Sequence, residues 1–219
     1  MSAGWEAVHV DELDSIPIAG VVWHPVRRRL GVRAFGINAY TPEGVGKHVV
    51  EEHDESGGGA GGHEELYLVV RGRATFTVDG ETIAAPAGTI VFIRDPKLKR
   101  VAIAEEEGTL VLAVGGEPSR AYEVSPWEPA FAAAPLLDEG RFVEALELFA
   151  EGLRDHPGNP SLLYNLACAE ARAGRTQDAI SHLREAIAAE GRYAERARRD
   201  PDFDAIRGEP GFPSGRPAA

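Results

Sequence analysis

The chain has a single cysteine, Cys168, which excludes an internal disulfide and any cysteine-based zinc finger. No apolar run approaches the roughly 20 residues that a membrane helix requires. Positive charge is scarce: 23 Lys and Arg stand against 35 Asp and Glu, a formal net charge of -12. A basic face for nucleic acid is therefore not expected. The first ten residues carry Glu6 and His9 and lack a basic segment followed by an apolar one. No signal peptide is expected, and the cytoplasm is the expected location. With 219 residues, 43% hydrophobic and 26% charged, the composition is that of a soluble globular protein of one large or two small domains.

The hydrophobic pattern changes near Ser125. Upstream it alternates with a period of two. Strands are predicted at 65–70, 74–78, 81–85, 89–93, 100–104 and 109–114, with weaker ones at 32–40 and 48–55. Asp79-Gly80 is the strongest hairpin signal, because both residues tolerate positive φ. So many strand edges must be paired or closed, which predicts a small antiparallel barrel or sandwich. Downstream the period becomes helical. Ser125-Pro126-Trp127-Glu128 reads as a capping box with proline at the first helical position. A 34-residue repeat then follows: Gly140 recurs as Gly174, Ala145 as Ala179, Phe149 as Leu183 and Leu153 as Ile187. Asn159-Pro160 caps the helix that opens the second repeat, and Asp200-Pro201 caps a short closing helix near 203–207. The expected organisation is a two-domain α+β chain: a β domain at 1–125, a helical domain at 126–207 and a Gly/Pro-rich frayed tail at 208–219.

The 34-residue period, with small residues where helices cross, resembles the tetratricopeptide repeat. Leu163, Leu166, Ala167, Gly174, Ala179, Leu183 and Ala186 suit that pattern. The first repeat departs from it, since Pro135 should kink or break its first helix. The resemblance implies a concave groove for a protein or peptide partner, with Asn165 and Arg172 as groove candidates. The plain alternative is a docking and stabilising element, because two repeats are fewer than usually bury a continuous core. Cys168, flanked by alanines in a helix, is expected to be buried and inert.

The β half resembles a cupin over about residues 32–115. Glu65 followed by Gly72, the Asp79-Gly80 hairpin, Pro86-Ala87-Gly88 and Asp95-Pro96 carry the likeness. The resemblance implies an antiparallel β-barrel, pairing into a homodimer, and a divalent transition metal (iron, manganese, nickel or zinc) held by three histidines and one glutamate. Glu65 stands at the glutamate position, but the histidine positions fall on Gly59, Gly61 and Arg100. Glycine offers no ligand, and arginine has no lone pair to give. A rebuilt site could use His53, His63 and Glu65. Arg100 could instead hold a small anionic ligand beside Glu65 and Tyr67, or simply pair with Glu65 and fill the mouth. Arg27-Arg28-Arg29 reads as a solvated turn.

Three functions compete. A non-catalytic adaptor or sensor would bind a small ligand in the barrel and a protein on the helices. A metal-dependent enzyme, of dioxygenase or isomerase type, would use the rebuilt site. A purely structural, self-associating barrel would use its helices to cover an edge. The missing donors favour recognition over catalysis.

Overall fold

A computed structural model describes residues 6–56 and 62–213. Gly59 and Gly61 lie outside the described residues. The chain divides into two compact units, Met1–Ser125 and Pro126–Ala219.

Among the described residues the first unit contains ten strands: β1 (Ile16–Ile18), β2 (Val21–His24), β3 (Gly36–Pro42), β4 (His48–His53), β5 (Glu64–Arg71), β6 (Arg73–Val78), β7 (Glu81–Pro86), β8 (Ile90–Ile93), β9 (Arg100–Ala104) and β10 (Leu110–Gly116). They form a six-stranded sheet in the order β1-β2-β3-β10-β5-β8 and a four-stranded sheet in the order β4-β9-β6-β7. Every ladder is antiparallel. The antiparallel β architecture expected from the sequence is present, as two jelly-roll-like sheets that no ladder closes into a barrel among the described residues. β8 ends one sheet and β7 the other, and no ladder joins them among the described residues. The sheets are held by a shared core. Tyr67, Val69, Val91, Ile93 and Val111 come from the larger sheet; Val49, Phe76 and Ala102 come from the smaller. The β6–β7 hairpin turns at Asp79 and Gly80, with φ of 47° and 86°, and pairs Val78 with Glu81.

The sequence pattern missed β1 and β2, and the basic run proves to be a one-turn helix rather than a solvated turn. This helix, α1 (Val26–Leu30), buries Arg27, whose Nη1 donates to the Val32 carbonyl at 3.1 Å.

The second unit contains α2 (Trp127–Asp138), α3 (Phe142–Asp155), α4 (Pro160–Arg172), α5 (Thr176–Ala189) and α6 (Arg192–Arg199). The repeat is visible in three dimensions. Gly140 and Gly174 end α2 and α4 with nearly the same left-handed φ, 73° and 75°. Ala145 and Ala179 are both fully buried, as are Phe149 and Leu183. Pro135 does not end α2. The helix runs through it to Asp138, forgoing one backbone hydrogen bond, while Leu136 and Leu137 pack on the core around Phe149 and Leu162. Pro129 sits in the first turn, where no intrahelical N–H is needed. At the start of α2, Pro126 rather than Ser125 takes the capping position, and Pro126 makes no side-chain cap hydrogen bond. Asn159 does cap α4, accepting from the Ser161 and Leu162 amides at 3.0 and 3.1 Å.

The closing element differs from its predicted span. α6 begins earlier, and Asp200 caps a short 3-10 turn at Pro201–Phe203. Tyr164 stacks on Tyr193 with ring centroids 4.7 Å apart and meets Phe203 edge-on at 5.6 Å. Phe212 is buried in the same cluster, so the packed chain extends into the segment expected to fray. This closing layer supplies the apolar cover that a third repeat would otherwise provide.

Candidate functional site

Four strand ends bring a polar cluster together between the two sheets of the β unit. Alternation along β5 turns Glu65, Tyr67 and Val69 inward. On the other sheet, His53 at the end of β4 lies opposite Arg100 at the start of β9. Just beyond β4 the chain is held by Glu55, whose amide donates to the Pro96 carbonyl at 2.8 Å and whose carbonyl accepts from Gly62 at 2.9 Å. That hold folds the Glu55 side chain back over the strand end. Gly115, opposite Glu65 on β10, leaves the room: a Cβ there would lie 3.1 Å from Glu65 Cγ.

Arg100 is completely buried, and its Nη2 lies 3.2 Å from Glu65 Oε2. Its Nη1 donates to the Leu98 carbonyl at 3.1 Å, while Nε and Nη2 have no hydrogen-bond acceptor. Tyr67 donates its hydroxyl to the same Glu65 oxygen. His53 Nδ1 faces the Glu51 carbonyl at 2.8 Å. A donor at Nδ1 turns the other ring nitrogen, Nε2, into the cluster. Nε2 lies 3.6 Å from Glu55 Oε1, 3.6 Å from Glu65 Oε2 and 3.4 Å from the Tyr67 hydroxyl. His63 stands on the far side of Glu55, its Nδ1 3.6 Å from Oε2, with its ring against Tyr122.

These contacts divide the charge unevenly. Burial and then the Glu65 charge push the Glu55 carboxyl up to about 7. Burial also acts most strongly on Glu65, but contacts with His53 and Tyr67, and the charges of His53 and Arg100, outweigh it and hold Glu65 below its ordinary range. For His53, burial opposes the charge, and its partners Glu65 and the Glu51 carbonyl overcome it, so its pKa is raised. Burial lowers that of His63. The side chains with remaining exposure are His53 at 27% and, near 11–13%, Glu55, His63 and Glu65.

The structure thus brings the candidates His53, Glu65, Tyr67 and Arg100 into one cluster. His63 is one contact further out, and Glu55 takes the place beside His53 and Glu65. One ligand atom each from His53, Glu55 and Glu65 lies within 4.8 Å of the other two. Glu55 was missed because it follows the end of β4, where alternation no longer assigns a face. A separate open cleft of about 520 Å³ lies between the edges β7 and β8, lined by Ile83, Phe92, Arg94 and Leu98 among others. No comparable set of groups converges there.

On the helical unit, Asn165 is half-buried on α4. Arg172 is engaged within the unit, donating to the Leu137 carbonyl at 2.7 Å and lying 4.0 Å from Asp202. Cys168 is buried, and burial pushes its thiol well above its ordinary range. Its neighbour Asp200 already accepts from the Tyr164 hydroxyl at 2.7 Å. Among the described residues no helix is long and apolar enough to cross a membrane.

A family model described as tetratricopeptide repeat matches residues 136–199. No curated protein matches the chain in sequence. Among solved structures, KdgF from Halomonas sp. is 19% identical with a TM-score of 0.40, over 50% of this chain and 92% of its own. A cupin-superfamily sugar phosphate isomerase from Silicibacter pomeroyi is 13% identical with a TM-score of 0.42, over 51% and 76%. A cupin protein from Bacteroides fragilis is 20% identical with a TM-score of 0.34, over 52% and 92%. The chain is thus similar to cupin-fold proteins over its N-terminal half and to tetratricopeptide repeats over its helical half.

Proposed function

We propose that the chain is a non-catalytic interaction protein. Its β unit holds a small ligand at the mouth formed by His53, Glu55, His63 and Glu65, and its helical unit takes a protein or peptide partner. The observation that carries this reading is the Arg100–Glu65 pair. Glu65 is the one carboxylate at a metal-ligand position of the family it resembles, and a sealed guanidinium 3.2 Å away already neutralises it. A carboxylate so paired attracts a catalytic metal less strongly. Arg100 itself exposes no N–H, so a small anion would have to part it from Glu65 first. The repeat match at residues 136–199 supports the partner-binding half of the reading.

A second reading, a metal-dependent enzyme of dioxygenase or isomerase type, is favoured by the convergence of His53, Glu55 and Glu65. Such a metal would act as a Lewis acid or oxygen-binding centre at the mouth. The two readings separate in one set of measurements on the full chain. The interaction reading expects a captured partner that is lost in Asn165→Lys and retained in Glu65→Gln, with no metal surviving dialysis against a chelator. Stoichiometric iron, manganese, nickel or zinc that survives such dialysis would favour the enzyme. Light scattering tests the homodimer that accompanies the interaction reading, for which a mass of one chain would be the contrary result.

A further inference from the structure

We infer that the β unit carries an interaction surface apart from its mouth. The free edge of β7 and the open cleft beside it take up an extended segment of another protein, flanked by lysine or arginine, as an added strand.

The backbone is presented for pairing. The Asp79-Gly80 turn makes Val78 and Glu81 the pair that closes the β6–β7 hairpin. In an antiparallel ladder the pairs that exchange hydrogen bonds then alternate. Glu81, Ile83 and Ala85 therefore spend their N–H and C=O groups on β6. Ala87, next in that series, donates to the Gly72 carbonyl at 2.9 Å. Thr82 and Ala84 turn theirs the other way, to an edge that no ladder occupies among the described residues. Folded chains blunt such edges with lysine, proline or a covering loop. Here Pro86 guards only the far end, and residues 81–84 are all exposed.

The side chains show that a cover is missing. Ile83 pairs with Phe76 and shares its face of the sheet. Phe76 is fully buried in the core between the sheets, yet Ile83 is 36% exposed. The core is thus open along β7. The opening is the cleft of about 520 Å³, where Ile83 meets Leu98 and the half-exposed Phe92 of β8. A strand added to β7 would extend the smaller sheet and set every second side chain over this apolar floor.

Charge selects the occupant. The residues lining the cleft include Asp79, Glu81 and Asp95, with Arg94 as their cation. Arg94 is already engaged, 5.3 Å over the Phe92 ring and 4.0 Å from Glu64. Lys99, further along the chain, stands 3.6 Å from Glu52. A segment with basic ends meets the three carboxylates, and an acidic one is repelled. A second copy of this chain would bring the same carboxylates and a net charge of -12 to the contact, which opposes self-pairing at this edge.

The test is fluorescence anisotropy of a labelled, end-capped peptide of alternating valine and threonine flanked by lysine, titrated with the full chain. The same peptide flanked by glutamate is the comparison. The expected result is saturable binding of the lysine form, at least ~10-fold weaker binding of the glutamate form, and at least ~10-fold weaker binding of the lysine form by Glu81→Lys. Ala84→Pro removes an edge N–H and no ladder bond, and should weaken binding by at least ~10-fold as well. If Ala84→Pro fails to fold by circular dichroism, Glu81→Lys decides, by weakening the lysine form without weakening the glutamate form. No saturable binding, equal affinity for the two peptides, or a folded Ala84→Pro that binds like the unmodified chain would overturn the inference. So would a sedimentation mass of two chains that falls to one in Ala84→Pro, since the edge would then belong to a second copy.

Discussion

Glu55 and Glu65 share one polar cluster yet respond to pH in opposite senses. Glu55 has its native pKa raised to about 7 from 4.5, by burial and by the Glu65 charge. A raised native value means a contribution to stability that is full below the unfolded value and is lost as pH rises towards 7. Glu65 has its native value lowered, against burial, by His53, Tyr67 and Arg100. Its contribution is present above the unfolded value and is lost as pH falls through the native one. Replacing Glu55 with Gln should therefore stabilise the chain at pH 8, by on the order of 1–3 kcal/mol, with the gain fading below pH 5. Denaturant melts of both proteins across that range check the sign. A constant difference would show that Glu55 has the same pKa in the native and unfolded states. Tyr67→Phe keeps the ring in its packing against Phe76 and leaves Glu65 one donor short, so a loss of about 1–2 kcal/mol is expected from the same melts.

Elements explain why part of the cluster was legible in the sequence and part was not. Glu65 and Arg100 fall at ligand positions of the family the β half resembles, and Tyr67 shares the inward face of β5 two residues after Glu65, so these three were legible. Glu55 owes its position to two backbone hydrogen bonds in the turn after β4, and those leave no periodic trace. β1 is three residues long and contains Pro17, too short for alternation to register. In the helical unit the Gly140/Gly174 and Ala145/Ala179 correspondences were legible because each depends on one local requirement, a left-handed turn or a close crossing. Pro135 misled because its cost, one backbone hydrogen bond, is outweighed by the burial of its neighbours. Gly152 carries a prediction at this scale. A Cβ there would meet Pro129 Cγ at 2.9 Å and Leu162 Cδ1 at 3.1 Å. Gly152→Ala should gain up to ~1 kcal/mol of helix propensity and lose ~1–3 kcal/mol to overpacking. Net destabilisation in a thermal melt is expected, and a higher melting temperature would show that α2 can shift aside. Asn159→Ala should cost about 0.5–2 kcal/mol through the lost cap of α4.

For the whole molecule, the proposed function assigns ligand and partner to two units of different architecture. The helical unit completes a two-repeat core with its own closing layer, of which Phe203 is the fully buried centre. Phe203→Ala should cost about 3–5 kcal/mol and lower the cooperativity of helical unfolding, as seen by circular dichroism at 222 nm. The β unit spends its interior polar groups on a mouth where Arg100 restrains Glu65, an arrangement that fits reversible binding better than a firmly held catalytic centre. The central claim is that α4 of the helical unit presents a face to a protein or peptide. Its most direct test is the dissociation constant of the captured partner for the full chain and for Asn165→Lys, measured by sedimentation or calorimetry. The account predicts at least ~10-fold weaker binding by the variant, about 1.4 kcal/mol; equal affinities would contradict it.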